Sequence, residues 1–317
     1  MSTGHRRPWL ALGALVVSLG LVSLACGSGE DASSSSVSSS GATSPTDGGS
    51  GSGDAAPPAP EAVQHLDIEA ADYQFAFDPP AEQVVAGWTS LTLRNVGDEA
   101  HQVMFARIKD GVDMAELAAA GAGDSSGAGA IEFVDMIGGV SYIGPGQDTT
   151  ALVNLTEGVV MAMCYVPDSK GVAHALMGMT AMLTVGAPSG DTAPPGDEPV
   201  VGTIEFSEDG YRVPDDLTTG WYHVQNTDSA LHEMALLRLD RSIDDEEAAT
   251  IVGQLAANEV PDVELTAVGG MGAVSSGFDG YLYLDLDDGA YLAVDFMPDP
   301  GEPRPHMLDG YYTTFST

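Results

Sequence analysis

From residue 62 to residue 317 the chain alternates short apolar runs with clusters of Gly, Pro and Asp. Leu91-Thr-Leu, Val103-Met-Phe-Ala-Arg-Ile, Thr150-Ala-Leu-Val-Asn-Leu and Val159-Val-Met-Ala-Met are β-prone stretches too short for helices and bounded by turn residues. Tyr281-Leu-Tyr-Leu-Asp-Leu and Tyr291-Leu-Ala-Val repeat the pattern further on. Two stretches break it. Ser242 to Leu255 carries Ala248, Ile251, Val252 and Leu255 at helical spacing, with Ser242 as the expected cap and Asp245 three residues on. Val112 to Ala120 is a weaker version of the same signal. Many short strands with one helical insertion predict a β-sandwich.

The pattern occurs twice. Asn95 recurs as Asn226, His101 as His232, Gly138-Gly139 as Gly269-Gly270, Gly158 as Gly289 and Pro167-Asp168 as Pro298-Asp299, all at an offset of 131 residues. One register held through seven positions is the signature of an internal repeat. The expected organisation is therefore two domains of one fold, 62–187 and 200–317, joined by a Pro/Gly/Asp linker at 188–199.

The first 61 residues follow other rules. Arg6 and Arg7 precede an apolar run from Trp9 to Leu24, which reads as an export signal over residues 1–25. The run ends in Ser23-Leu24-Ala25-Cys26, which resembles the lipobox of bacterial lipoproteins, with Ser23 where Leu is usual. That resemblance implies lipidation of Cys26 and attachment to a membrane. An ordinary cleaved signal and an uncleaved anchor of about 18 residues are the alternatives. All three place the rest of the chain outside the cytoplasm, on the periplasmic face or the cell surface. Arg6-Arg7-Pro8-Trp9-Leu10 also loosely resembles a twin-arginine signal. Residues 26–61 hold the lipidated Cys and a Ser/Gly/Asp/Ala/Pro stretch that lacks the apolar residues for a core. As a flexible tether, Gly27 to Glu61 would span on the order of 30 Å.

Composition narrows the partners. With 47 acidic and 10 basic side chains among 317 residues, the formal charge is −37. Cleavage before Cys26 removes Arg6 and Arg7 and no acid, taking it to −39. A polyanion gains nothing from releasing phosphate counterions, which excludes nucleic acid, and an anionic lipid surface repels it. Any redox partner should present a basic docking face and bind more weakly in salt. Adaptation to high salt would give the same composition. The 44% hydrophobic content nonetheless excludes a wholly disordered chain.

The candidate chemistry centres on the second of two cysteines. Once Cys26 is lipidated, Cys164 has no intramolecular partner, and a lone thiol outside the cytoplasm is expected to be buried, metal-bound or reactive. His101 precedes it, and His174 and Met179 follow. Two imidazoles, a thiolate and a thioether are the donor set of a type 1 copper site.

Asn95-Val-Gly-Asp-Glu-Ala-His101 resembles the strand-end motif that supplies the first His in cupredoxins, the plastocyanin and azurin group. Cys164, His174 and Met179, followed by Met182-Leu-Thr-Val, are similar to that family's closing ligand loop and last strand. The resemblance implies an all-β fold of two tandem cupredoxin-like Greek-key β-sandwiches, each with a short helical insertion. It further implies copper and electron transfer, with His101, Cys164 and His174 equatorial and Met179 axial. Met177 competes for the axial role. Nine residues separate Cys164 from His174 where the family has two to four. Pro167-Asp168-Ser169-Lys170-Gly171 is turn chemistry, which could bulge outward and leave the ligands converged or could mark a branch without copper.

In the second unit Cys164 maps to Asp295 and Met179 to Tyr311, while His232 and His306 remain. Without a thiolate this is no blue copper site. It is either a copy kept for packing or a holder of a harder ion such as zinc or Cu(II). Met161, Met163, Met177, Met179 and Met182 could suggest a Cu(I) store, but strand alternation makes most of them core filler. His65 and His223 read as ordinary surface or strand residues. No G-x-S-x-G, H-E-x-x-H or P-loop is present. The functional expectation is an anchored copper protein in electron transfer, without enzymatic turnover. A metal-free surface scaffold and a copper buffer are the alternatives.

Overall fold

The computed structural model describes residues 64–123, 128–170, 172–189, 200–257, 259–302 and 304–317. The export signal, Cys26, the tether and most of the expected linker lie outside them. The fold is all-β. The first half contains β1 (Gln64–Ala71), β2 (Gln74–Asp78), β3 (Gly87–Asn95), β4 (His101–Ile108), β5 (Val134–Ile143), β6 (Asp148–Leu155), β7 (Gly158–Met163) and β8 (Thr180–Val185). The second contains β9 (Val200–Ser207), β10 (Gly210–Arg212), β11 (Gly220–Asn226), β12 (His232–Leu239), β13 (Leu265–Val274), β14 (Asp279–Leu284), β15 (Ala290–Val294) and β16 (Tyr312–Ser316).

Each half is a cupredoxin-like Greek-key sandwich, with β2-β1-β3-β6 in one layer and β5-β4-β7-β8 in the other. β1 runs parallel to β3 within one layer, so the chain leaving β2 crosses the end of β1 to reach β3 rather than continuing as a meander. Leu66, Ile68 and Ala70 alternate inward along β1, as a strand with one solvated face demands. β4 instead is buried on both faces: Val103 and Phe105 fill the sandwich, while Met104, Ala106 and Ile108 pack under Leu117 and Ala130. Those two residues come from α1 (Met114–Gly123) and α2 (Ala128–Ile131), the helical insertion of the first half. Double coverage is why β4 runs apolar without alternation from Val103 to Ala106.

The helix of the second half, α3 (Asp245–Ala256), buries the four apolar residues that its spacing predicts. Its cap differs from the expected Ser242. Asp244 takes that position, its carboxylate accepting from the Glu247 amide at 2.9 Å, with three acids in the first turn facing the helix dipole. The run from Tyr281 stops as a strand at Leu284 rather than Leu286, because the Leu286 amide donates to the Thr219 hydroxyl instead of a ladder.

The halves join strand to strand. β5 pairs antiparallel with β13, and β6 with β14, so each layer becomes one sheet of eight strands. The pairing is self-equivalent. Val140 faces Met271 and Ala151 faces Leu282, each the other's counterpart at the 131-residue offset. Ile137 faces Val274 and Ile143 faces Val268, the same two positions exchanged. A pseudo-twofold axis therefore passes through the junction, as in an isologous dimer interface.

The repeated glycine pair has a steric origin. Gly139 lies at φ +134°, and a Cβ there would sit 2.1 Å from the Val103 carbonyl oxygen. Gly270 lies at +120°, where a Cβ would come 1.8 Å from that of Met234. Both mark irregularities in the ladder between the His-bearing strand and its neighbour.

Candidate metal centre

All four residues singled out in the first half lie at one end of its sandwich. His101 opens β4, Cys164 follows β7, His174 begins a short 3-10 turn (His174–Met177), and Met179 precedes β8. The nine-residue gap costs nothing in convergence. Pro167 and Ala173 form a β-bridge across its base, and the Asp168 carboxylate accepts from the Lys170 and Val172 amides at 2.8 and 2.9 Å. The excursion therefore closes on itself and returns the chain. Beyond it the Ala175 amide donates to the Cys164 carbonyl at 2.7 Å, and the His174 amide to that of Val166 at 2.9 Å.

The side chains of His101, Cys164 and His174 are fully buried and meet. The two Nδ1 atoms are 3.1 Å apart, and Cys164 Sγ lies 3.6 Å from His174 Nδ1 and 3.9 Å from His101 Nδ1. Met179 is also fully buried, and its carbonyl accepts from the Cys164 amide at 3.2 Å. Met177 is only half-buried, which favours Met179 as the fourth residue of the set.

Two carboxylates outside the expected set orient the rings. His101 Nε2 donates to Asp72 Oδ1 at 3.2 Å, and His174 Nε2 to Glu99 Oε2 at 2.9 Å. A carboxylate can only accept, so the ring protons sit on Nε2 and both Nδ1 lone pairs point inward. Asp72 comes from the β1–β2 turn and Glu99 from the β3–β4 turn. Gly97 makes room for this: a Cβ there would lie 2.4 Å from Asp72 Oδ1 and 2.7 Å from His101 Nε2.

The electrostatics agree. Burial, and then the neighbouring His174, hold His101 below the ordinary imidazole range, and burial does the same for His174. Burial pushes the Cys164 thiol up to about 12, against the opposing pull of the Gln102 amide, which donates to Sγ at 3.5 Å. Two Nδ1 lone pairs and one protonated sulfur thus converge in a buried cluster.

A first-row metal fits the donors. With bonds of about 2.0 Å to nitrogen and 2.3 Å to thiolate, donors around one ion stand roughly 3.3–3.6 Å (N···N) and 3.5–3.8 Å (N···S) apart. The observed separations fall within about 0.2 Å of those ranges.

In the second half His232, Asp295 and His306 form the corresponding group, all buried. The ring pairs match: centroids are 4.9 Å apart in both halves, with interplanar angles of 58° and 57°. The loop is rebuilt too, with a Pro298–Pro305 bridge and the Met307 amide donating to the Asp295 carbonyl at 2.9 Å. Tyr311, at the Met179 position, stacks on His232 with centroids 3.9 Å apart.

Of the other residues weighed, His65 is exposed on β1, while His223 lies on β11, stacked on Tyr281 and paired with Asp279. Met163 is core, but Met182 is 51% exposed, because β8 turns Leu183 inward and Met182 outward.

The centre is a His-Cys-His cluster, with Met179 beside it, at the end of a cupredoxin-like sandwich. Solved structures similar to the chain include dithionite-reduced auracyanin from Roseiflexus castenholzii, at 18% identity over 39% of this chain and 97% of that one, TM-score 0.28. Auracyanin A, a blue copper protein from Chloroflexus aurantiacus, matches at 13% identity over 38% and 98%, TM-score 0.24. Blue copper oxidase from Nitrosomonas europaea matches at 13% over 80% and 85%, TM-score 0.24. No family model and no curated protein matches the chain. Likenesses of this strength carry no argument about function, so the chemistry must come from the site's own atoms.

Proposed function

We propose that the first half holds copper between His101, Cys164 and His174, with Met179 as the weak axial donor, and that the protein acts in electron transfer. The observation that carries this reading is the inward pair of Nδ1 atoms 3.1 Å apart beside Cys164 Sγ, each ring held by a carboxylate at its far nitrogen. Bound copper would supply a one-electron couple. The protein's part is to fix the donors before the ion arrives, to exclude water from them, and to give up the Cys164 proton when the ion binds. Loop and sandwich hold the donors in one arrangement for both oxidation states, which keeps reorganisation small.

On this reading the chain is exported and lipid-anchored through Cys26, carries no catalytic turnover, and meets a basic redox partner outside the cytoplasm. Four donors leave no open position for a substrate, and the strongly acidic composition supports the choice of partner.

The test is direct. Purified protein is loaded with Cu(II), and its visible spectrum and bound metal are measured. An intense thiolate-to-copper band that disappears in Cys164→Ser is the expected result. A colourless protein without bound copper, unaffected by His101→Ala, overturns the reading and leaves the metal-free scaffold. Copper bound without a reversible potential favours the buffer.

A further inference from the structure

We propose that the second half carries a separate site for a divalent, non-cycling ion of the zinc class, held by His232 Nδ1, His306 Nδ1 and the Asp295 carboxylate. The inference is independent of copper in the first half.

The donors already point at one place. Asp295 Oδ2 lies 2.7 Å from His232 Nδ1 and 3.0 Å from His306 Nδ1, while its Oδ1 accepts from the Met297 amide at 2.8 Å. The far nitrogen of His232 again meets a carboxylate, Nε2 lying 3.0 Å from Asp228 Oδ2, whereas His306 Nε2 is 3.4 Å from Asp299 Oδ1, an ion-pair contact without a hydrogen bond. Nδ1 of both rings meets Asp295 Oδ2 at hydrogen-bond distance, and in the metal-free state the shared carboxylate accepts from imidazole N–H groups whose protons a bound ion would displace. A buried carboxylate between two imidazoles requires positive charge beside it, which protons supply in the metal-free state and a divalent ion would supply when bound.

The carboxylate on His232 is the telling feature, because it is not inherited from the first half. Asp228 stands at the position of Gly97, and it reaches its histidine directly instead of leaving space for an acid from another turn. Asp299 stands at the position of Asp168, which in the first half serves the loop amides. Carboxylates on the outer nitrogens are the usual support of metal-bound imidazoles.

The donor types choose the ion. Two imidazoles and a carboxylate, with no sulfur, suit zinc or a similar divalent ion and offer little to Cu(I). Tyr311 replaces the thioether and pins His232 by stacking. The present Nδ1···Oδ2 distances of 2.7 and 3.0 Å are about 0.3–0.6 Å shorter than the roughly 3.3 Å expected around a tetrahedral ion with 2.0–2.1 Å bonds. The Asp295 carboxylate would have to swing outward by about that amount. His306, 7% exposed where His232 and Asp295 are 2% and 0%, marks the side from which an ion enters.

The experiment removes the first centre and reads the second. The full chain carrying His101→Ala and Cys164→Ser is loaded with Zn(II), dialysed, and analysed for metal, then examined with Co(II) as a spectroscopic probe. One zinc retained per chain is expected. Co(II) should give visible d–d absorption of tetrahedral intensity with no sulfur-to-metal band. Adding Asp295→Asn should remove the retained equivalent. A folded background variant that keeps no zinc and gives Co(II) only its aqueous spectrum overturns the proposal. So does zinc retention that survives both Asp295→Asn and His232→Ala. The Co(II) spectrum of the background variant decides the matter even if Asp295→Asn does not fold. Either failure leaves the copper reading untouched.

Discussion

Tyr73 stands edge-on to His174, with ring centroids 5.0 Å apart and planes at 72°. Its hydroxyl donates at 3.3 Å to Glu99 Oε2, the oxygen that also holds His174 Nε2 at 2.9 Å. Tyr73 does this from a left-handed backbone, φ +68°, a conformation costing a side-chain-bearing residue ~1 kcal/mol or more. Such strain persists where the surroundings fix it, and here it brings a ring and a hydroxyl to the site's rim. Removing the orienting acids should therefore weaken metal binding without touching a ligand. Asp72→Asn and Glu99→Gln are each expected to lose about 10- to 100-fold in metal affinity. Tyr73→Phe, which keeps the ring, should lose less than either. Competition with a chelator of known affinity measures all three.

Uptake by the first centre should depend on pH through one proton. The Cys164 thiol stands at about 12, and both imidazoles are held below their usual range, so at neutral pH only the thiol must deprotonate. The logarithm of the apparent affinity should rise by about one per pH unit between pH 7 and 9. A flat profile in metal titrations would show that the thiolate is not engaged.

The metal-free second half has its own pH signature. Burial lowers His306, but the Asp295 and Asp299 carboxylates outweigh it and leave His306 above the ordinary value. A raised histidine contributes stability that is fully present below about 6.5, its unfolded pKa, and is lost as pH rises through the folded value. The destabilisation caused by His306→Gln should accordingly be larger at pH 6 than at pH 8, measured by denaturant unfolding in chelator.

Gly139→Ala and Gly270→Ala should be the most damaging small substitutions in the sheets. Each puts a methyl within about 2 Å of a backbone carbonyl that neighbouring strands hold in place. Loss of several kcal/mol, or no folded product, is expected where strain of this kind has nowhere to relax. A variant with unchanged melting temperature would contradict the steric account.

Asp244→Ala tests the α3 cap separately from any metal. It should cost about 1 kcal/mol, the usual value for losing a capping side chain, and leave metal content unchanged.

The sequence made His101, Cys164, His174 and Met179 visible because a recognisable motif and one lone cysteine marked them. It could not show Asp72 or Glu99. They reach their histidines across 29 and 75 residues, from turns that only the Greek-key order brings to the same end. A chain with 47 acids offers no local reason to choose those two. The helix position was legible from the spacing of Ala248, Ile251, Val252 and Leu255, but Asp244 outcompeted Ser242 as the cap because it stands three residues before Glu247. The repeat announced two similar folds without revealing that β5 and β6 would meet their own images.

That meeting has a consequence for what the molecule is free to become. Two identical subunits joined across Val140 and Ala151 would be obliged to carry the same centre twice, and their union would dissolve on dilution. Written on one chain, the partnership survives any concentration, and each centre can change without dragging the other along. A cysteine at 164 and an aspartate at 295 are what such freedom permits: one symmetrical scaffold with two unlike sets of buried donors.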